Sequence, residues 1–145
     1  MISRARFTAA IVLIGLTGSC ASTFDASRAT RAYPSERHRP VAADIQCFRD
    51  ETRLTIVNAT TTSYRAFDLW LNQRFAQRVE SLPAGGTIEI SLEGFYDDRG
   101  LPFGAGGFFR TEAPTRLVLA EIDHSPDLPL VGLIVIEAAD RPQEE

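Results

Sequence analysis

Apolar and polar residues alternate with a period of two in several short runs between residues 45 and 138. In the clearest run, Ile88, Ile90 and Leu92 share one face and polar residues occupy the other. This spacing is typical of a β-strand that buries one face. Turn signals such as Pro83-Ala84-Gly85-Gly86 separate the runs, and the whole pattern predicts about seven short strands.

The strands define an all-β fold class. The predicted strands cover residues 45–49, 54–57, 64–71, 74–80, 87–93, 116–122 and 130–137. The first is predicted to be an edge strand, and the last, which is apolar on both faces, is predicted to be central. We predict a two-sheet antiparallel sandwich of immunoglobulin-like size. Because the domain contains Trp70 but a single cysteine, it lacks the Cys-Trp-Cys hallmark of antibody domains, and no domain family is named.

Residues 64–82 fit two patterns. Phe67, Leu69 and Leu71 alternate as they would in a strand. A helix would group the apolar side chains differently, on one face: Phe67, Leu71, Phe75, Val79 and Leu82. We favour a hairpin, because Asn72-Gln73 can form a two-residue turn and clear strands flank the segment at short spacing. The helix remains the alternative.

The first 20 residues have the composition of an export signal. Arg4 and Arg6 precede an uninterrupted apolar run over residues 9–16, and small residues then lead to Cys20. A basic, then apolar, then small order is typical of a secretory signal peptide. The run is too short for a permanent transmembrane helix, which needs about 20 apolar residues.

The stretch Leu16-Thr17-Gly18-Ser19-Cys20 resembles the lipobox of bacterial lipoproteins. Leu16 stands four residues before the cysteine, whereas the family usually has its aliphatic residue three before it. The resemblance, which covers only this terminus, implies cleavage before Cys20, its acylation by palmitate-type chains, and anchoring to a membrane of the cell envelope. In a double-membrane bacterium this would be the outer membrane, facing the periplasm. The alternative is cleavage after Ala21, which releases a soluble secreted protein.

The composition of the chain predicts four consecutive segments. Residues 1–19 are assigned to the signal peptide, 20–44 to the lipidated N-terminus and a flexible tether, 45–138 to the β-sandwich domain and 139–145 to a polar tail. The tether prediction follows from Ser, Thr, Ala, Arg and Pro without periodicity. A random coil of this length spans about 25–30 Å. Its basic cluster, Arg37-His38-Arg39, is interpreted as solvated linker, with headgroup contact as the alternative.

Charge restricts the partners of the domain. Residues 45–145 carry nine Arg and 16 acidic residues, a net charge of −7. Such a domain is repelled by phosphate backbones, so we predict no nucleic-acid binding. We also expect repulsion from anionic lipid, so that the membrane is contacted through the anchor alone.

Residues 95–109 form the most unusual stretch, with five of the chain's 13 aromatic residues and four of its ten glycines. One interpretation is a loop that binds a glycan or an envelope protein. The favoured interpretation is a connection whose aromatic residues plug an open end of the fold. The candidate residues are Phe95, Tyr96, Phe103, Phe108 and Phe109.

No catalytic constellation, metal site or cofactor is predicted. Asp97-Asp98 lacks the alternating spacing of a calcium loop and is interpreted as a turn. His124 is interpreted as part of a solvated loop. A hydrolase, the alternative, would need Asp97, Asp98, His124 or Asp127 to converge in one cleft.

Cys47 is the domain's single cysteine. Its alternation with Ile45 predicts a buried, small apolar side chain. A disulfide between Cys20 and Cys47 is the alternative. Together these observations predict a membrane-anchored envelope lipoprotein with a non-catalytic binding or assembly module.

Overall fold

One continuous mixed sheet of seven strands organises the part of the chain that the structure describes. The computed structural model describes residues 24–106 and 113–137. The strands are β1 (Ala42–Asp50), β2 (Arg53–Asn58), β3 (Tyr64–Leu71), β4 (Phe75–Leu82), β5 (Thr87–Ser91), β6 (Ala120–Asp123) and β7 (Val131–Glu137). Their order across the sheet is β4-β3-β6-β7-β1-β2-β5. The all-β prediction is confirmed.

The predicted two-sheet antiparallel sandwich is wrong, because a parallel pair of strands joins all seven strands into one sheet. Strands β1 and β7 are parallel neighbours, and they join the β4-β3-β6 half to the β1-β2-β5 half. Strand β7 is central, as predicted, whereas β1 is flanked on both sides and is not an edge strand. Alternation within a strand cannot reveal this pairing, because the partners lie at opposite ends of the domain sequence.

The sheet is nearly closed on itself. Strands β4 and β5 are its two edges, yet only the four-residue turn Pro83–Gly86 connects them. The sheet must therefore curl until its edges approach each other at this turn. The curl encloses the inward side chains, of which the fully buried ones include Ile45, Cys47, Leu54, Ile56, Phe67, Leu69, Leu71, Leu82, Phe95 and Ile122.

Residues 64–82 form a hairpin, as favoured, and not a helix. Leu71 of β3 pairs with Phe75 of β4. Between them, Asn72 and Gln73 have φ angles of 51° and 57°, and Arg74 N donates to Leu71 O over 3.1 Å. Two central residues with positive φ match the right-handed twist of the flanking strands, which suits a tight hairpin.

Strand β6 is shorter than predicted. The Asn72 side chain donates to Arg116 O over 2.7 Å and accepts from the N–H groups of Val118 and Leu119 at 2.9 and 3.2 Å. These backbone groups are held by an amide side chain instead of a neighbouring strand. The ladder between β6 and β3 therefore begins only at Ala120.

Helical structure in the described residues is limited to three single 3₁₀ turns: Ala26–Arg28, Ser35–Arg37 and Leu92–Gly94. None of the described helices has the length and apolar character needed to cross a bilayer. The last turn ends β5 two residues earlier than predicted, because Ser91 Oγ accepts from Glu93 N over 3.3 Å and caps the turn.

Candidate functional site

Residues 24–40, named here the docked segment, lie across the outer face of the sheet. This corrects the prediction of a flexible tether for these residues. The backbone of the segment is tied to the domain at three places: Asp25 N donates to Gly100 O (3.2 Å), Thr30 N to Asp97 O (2.9 Å) and Leu130 N to Arg37 O (3.0 Å). The chain then enters β1 at Ala42.

Two glycines allow the close approach of this chain. Gly100 has a φ of 82°, and a Cβ there would lie 2.1 Å from Asp25 O. A Cβ on Gly132 of β7 would lie 2.9 Å from Val41 O. Both distances are below ordinary contact, so only glycine fits beneath the crossing backbone.

The docked segment covers an acidic patch on the outer face of β3 and β6. In the pairing of these strands, Asp68 faces Asp123 and Trp70 faces Glu121. The alternate positions, such as Ile122, point into the core. Glu121 and Asp123 are nevertheless buried, because side chains of the docked segment lie over them.

Glu121 accepts two hydrogen bonds from the segment. The Tyr33 hydroxyl lies 2.6 Å from one carboxylate oxygen, and His38 Nδ1 lies 2.6 Å from the other. Burial first, and then the neighbouring Glu121 carboxylate, raise the pKa of Tyr33. The hydroxyl therefore stays protonated as a donor at physiological pH.

Asp123 is paired with two guanidinium groups. Arg37 contacts its oxygens at 2.8 and 2.5 Å, and Arg31 bonds it as well. Arg31 also bonds Asp68 at 3.1 and 3.2 Å, so it bridges the two facing carboxylates. Burial opposes ionisation of Asp123, but Arg37 and Arg31 outweigh it and hold its pKa below the usual range.

Trp70 lies fully buried beneath the same side chains. The Tyr33 ring packs edge-on against it, with ring centroids 5.4 Å apart. The Arg31 guanidinium lies over its face, 5.2 Å from the centroid. The segment is therefore held by ionic, hydrogen-bonding and aromatic contacts together.

Asp97 stabilises a tight turn, as its sequence suggested. One oxygen accepts the N–H groups of Arg99 and Leu101 at 2.9 and 2.8 Å, and the other binds Arg74 at 2.8 and 3.0 Å. Burial opposes ionisation, but the Arg74 bond and the two backbone bonds outweigh it, so the pKa of Asp97 is lowered. The side chain has a structural role in this geometry.

The groups required for the hydrolase alternative do not share one cleft. Asp97 and Asp98 line a cavity of about 320 Å³. His124 lines another, of about 440 Å³, beside Asp123. Asp127 is exposed in the following turn. In residues 24–106 and 113–137, no group of three or more His, Cys, Asp or Glu side chains is placed to hold a metal ion.

The predicted binding loop is only partly described. Phe95 and Phe103 are buried in the core, where Phe103 packs edge-on against Phe75. Tyr96 is half-buried and forms an isolated β-bridge with Ala76. These positions fit the plug interpretation for Phe95 and Phe103. The two remaining candidates, Phe108 and Phe109, lie outside the described residues.

Of the two cysteines, only Cys47 is described, and it is buried and free. Burial raises the pKa of its thiol to about 12, which makes the thiolate scarce at neutral pH. Cys20, the predicted lipidation site, lies outside the described residues, as do the predicted signal peptide and the tail 139–145.

Sequence reasoning missed the docked segment. One usable signal was the alternation in Ala120-Glu121-Ile122-Asp123, which places two acids side by side on an outer face. The other was Tyr33, a large side chain among basic and small residues. A basic segment preceding an acidic strand face could have been matched by charge, although the segment itself is not periodic.

Comparisons of the chain with protein-family models, with curated proteins and with solved structures gave no significant match.

Proposed function

We propose that this chain is a membrane-anchored lipoprotein of the cell envelope, whose β domain is a non-catalytic binding or assembly module. The anchor in this proposal is Cys20, which follows the basic, apolar and small-residue regions of the terminus. Several acyl chains on one residue anchor a protein far more firmly than a single chain does.

Two of the buried carboxylates, Asp97 and Asp123, favour a binding role over catalysis. Asp97 is occupied by Arg74 and two backbone N–H groups, and Asp123 by Arg31 and Arg37. A general acid or base at neutral pH needs a carboxyl pKa that is raised towards 7. Both of these pKa values are lowered.

The binding proposal rests on the free edge of strand β5, where backbone groups face away from β2. Two backbone hydrogen bonds lie at the ends of the ladder between β2 and β5. In one, Asn58 N donates to Gly86 O, and in the other, Leu92 N donates to Thr52 O. In an antiparallel ladder the hydrogen-bonded pairs alternate. The N–H and C=O groups of Thr87, Glu89 and Ser91 therefore point away from β2, and among the described strands β5 pairs with β2 alone.

Such an edge can accept an extended segment of a partner protein as an added strand. Main-chain hydrogen bonds would supply affinity, and alternate side chains would supply specificity. The half-buried Ile88 and Ile90 lie on the inward face of this edge and could contact apolar side chains of the added strand.

Proline substitution tests the edge selectively. Glu89→Pro removes an N–H that faces away from β2, so we expect the domain to fold and the added strand to be lost. The matched control is Ile88→Pro, which removes an N–H from the β2 ladder and should reduce stability. A photocrosslinker at Thr87, used in the native cells, should give a discrete adduct that Glu89→Pro abolishes. Adducts that persist in Glu89→Pro, or that never form, would rule out this edge as the binding surface.

Mass spectrometry of the mature N-terminus tests the anchor. An acylated Cys20 is expected in the wild-type chain and no acylation in Cys20→Ala. An unmodified terminus that begins at Ser22 would instead support the soluble secreted protein.

A further inference from the structure

Three arginines surround a cavity of about 370 Å³ between the docked segment and β4. Arg28 and Arg31 come from the segment, and Arg78 comes from β4. Their side chains are 57%, 46% and 56% exposed, whereas the carboxylates that Arg31 and Arg78 bind are more buried, with Asp68 25% and Asp123 4% exposed. Arg31 and Arg78 therefore carry their positive charge outside the carboxylates that they bind, whereas the Asp25 carboxylate beside Arg28 is 46% exposed.

The guanidinium groups retain capacity for a ligand. Arg78 directs one N–H to Asp68 at 3.1 Å and no other hydrogen bond to the described residues. Arg28 pairs with Asp25 at 3.5 Å and lies over the ring of Tyr96. A guanidinium has five N–H donors in a planar fork that matches the oxygens of a phosphate group.

Chain length places this face near the proposed anchor. Four peptide units separate Cys20 from Phe24, and an extended chain of that length spans at most about 14 Å. The position after Phe24 is fixed, because Asp25 N is bonded to Gly100 O at 3.2 Å. Phe24 itself is 61% exposed. Its apolar ring can be buried at the boundary between headgroups and acyl chains.

We propose that the face formed by Arg28, Arg31 and Arg78, with the exposed Phe24 four residues before Arg28 in the chain, binds the headgroup phosphates of an anionic phospholipid surface. The inference rests on the proposed function, since Cys20 holds the face at the membrane. It reverses the expectation, drawn from the net charge of the domain, that anionic lipid repels the whole molecule. Local charge governs the contact, because the Debye length at physiological salt is only about 8 Å.

Vesicle co-sedimentation of residues 20–145, which lack the predicted signal peptide and its apolar run, tests the face apart from its anchor. The chain would carry Cys20→Ser, so that no acyl chain contributes. We expect binding to vesicles of phosphatidylglycerol mixed with phosphatidylcholine, little binding to phosphatidylcholine alone, and a decline in binding as salt rises from about 0.05 to 0.5 M. The double substitution Arg28→Gln, Arg78→Gln should weaken binding about thirtyfold.

The matched control is Arg53→Gln, Arg65→Gln, which removes the same charge from residues that do not line the cavity. Circular dichroism verifies that both double variants are folded. Equal binding to the two vesicle types, or an equal loss in both double variants, would overturn the proposal. Full displacement by millimolar inorganic phosphate would also overturn it, because the cavity would then be a site for a free anion. Mass spectrometry of Cys20 in the wild type tests the anchor separately, so failure of either claim is distinguishable.

Discussion

The two halves of the sheet's outer surface differ in what lies over them. The outer face of β3 and β6, which we name the covered face, carries Asp68, Trp70, Glu121 and Asp123. The docked segment lies over it. The outer face of β7 and β1, which we name the open face, presents Ile134 and Ile136 beside Gln46 and Phe48, and the two isoleucines are exposed. The more polar face is thus the buried one.

This difference shows that the docked segment is held by specific pairing more than by burial of apolar area. Two carboxylates on the covered face meet partners of opposite charge or a hydroxyl donor, and Trp70 meets an aromatic ring and a guanidinium. A buried ion pair is not in itself a large gain in stability, but removal of one partner is costly. Disrupting the pairing should therefore affect the covered face strongly and the open face little.

Among substitutions on the outer face of the sheet, Asp123→Asn should give the largest effect. It leaves Arg31 and Arg37 without their shared carboxylate, and loss of one partner from a buried pair costs about 3 kcal/mol in the free energy of unfolding. Urea denaturation measures the change. Asp50→Asn, at an exposed position of β1, is the matched control and should change stability by at most about 0.5 kcal/mol. Equal effects of the two substitutions would mean that the ionic contacts do not hold the segment.

The stability difference between wild type and Asp123→Asn should depend on pH. The folded-state pKa of Asp123 is lowered below its usual value, mainly because Arg37 and Arg31 outweigh the effect of burial. Its contribution is therefore fully present above the unfolded pKa of about 3.9 and is lost as pH falls through the folded pKa. Urea denaturation between pH 7 and pH 3 should show the two curves converging at the acid end. A difference that stays constant over this range would contradict the assignment.

Much of the fold could be predicted from local patterns. The strand of Ile88 and Ile90 was predicted because its period of two is expressed within a few residues. The parallel pairing of β1 with β7 could not be predicted, because it depends on a contact between distant strands. The same applies to closure of the sheet, which follows only from the order of all seven strands.

The covered face was missed for a different reason. The segment that covers it has no apolar stripe, so its polar residues are typical of a linker. Likewise, Glu121 and Asp123 occupy the alternate positions that a solvated face would have. Only their pairing with Tyr33 and Arg37 makes them buried, and the periodicity of neither stretch reveals that pairing.

Tyr33→Phe should have an intermediate effect. It removes the hydroxyl that donates to Glu121 at 2.6 Å but keeps the ring that packs on Trp70. Loss of a hydrogen bond to a buried charged group costs about 1.5–3 kcal/mol. Trp70 is the chain's single tryptophan, so its fluorescence reports directly on the covered face. We expect lower stability with little change in the emission maximum.

Two further variants sharpen this measurement. Tyr33→Ala removes the ring as well and should shift the Trp70 emission to longer wavelength, because water then reaches the indole. Tyr96→Phe is the control, since that half-buried ring lies against Arg28 and not against Trp70. An emission maximum that is unchanged in Tyr33→Ala would contradict the contact between the docked segment and Trp70.

The smallest effect is expected on the open face. Ile134→Thr replaces an exposed apolar side chain of β7 with a β-branched one that is equally suited to a strand, so stability should change by no more than about 0.5 kcal/mol. The adjacent Leu133→Ala alters the buried face of the same strand and should cost about 2–5 kcal/mol. Urea denaturation of both variants makes the comparison within one strand. If Ile134→Thr proved as costly as Leu133→Ala, the open face would be covered in solution, and its contrast with the covered face would disappear.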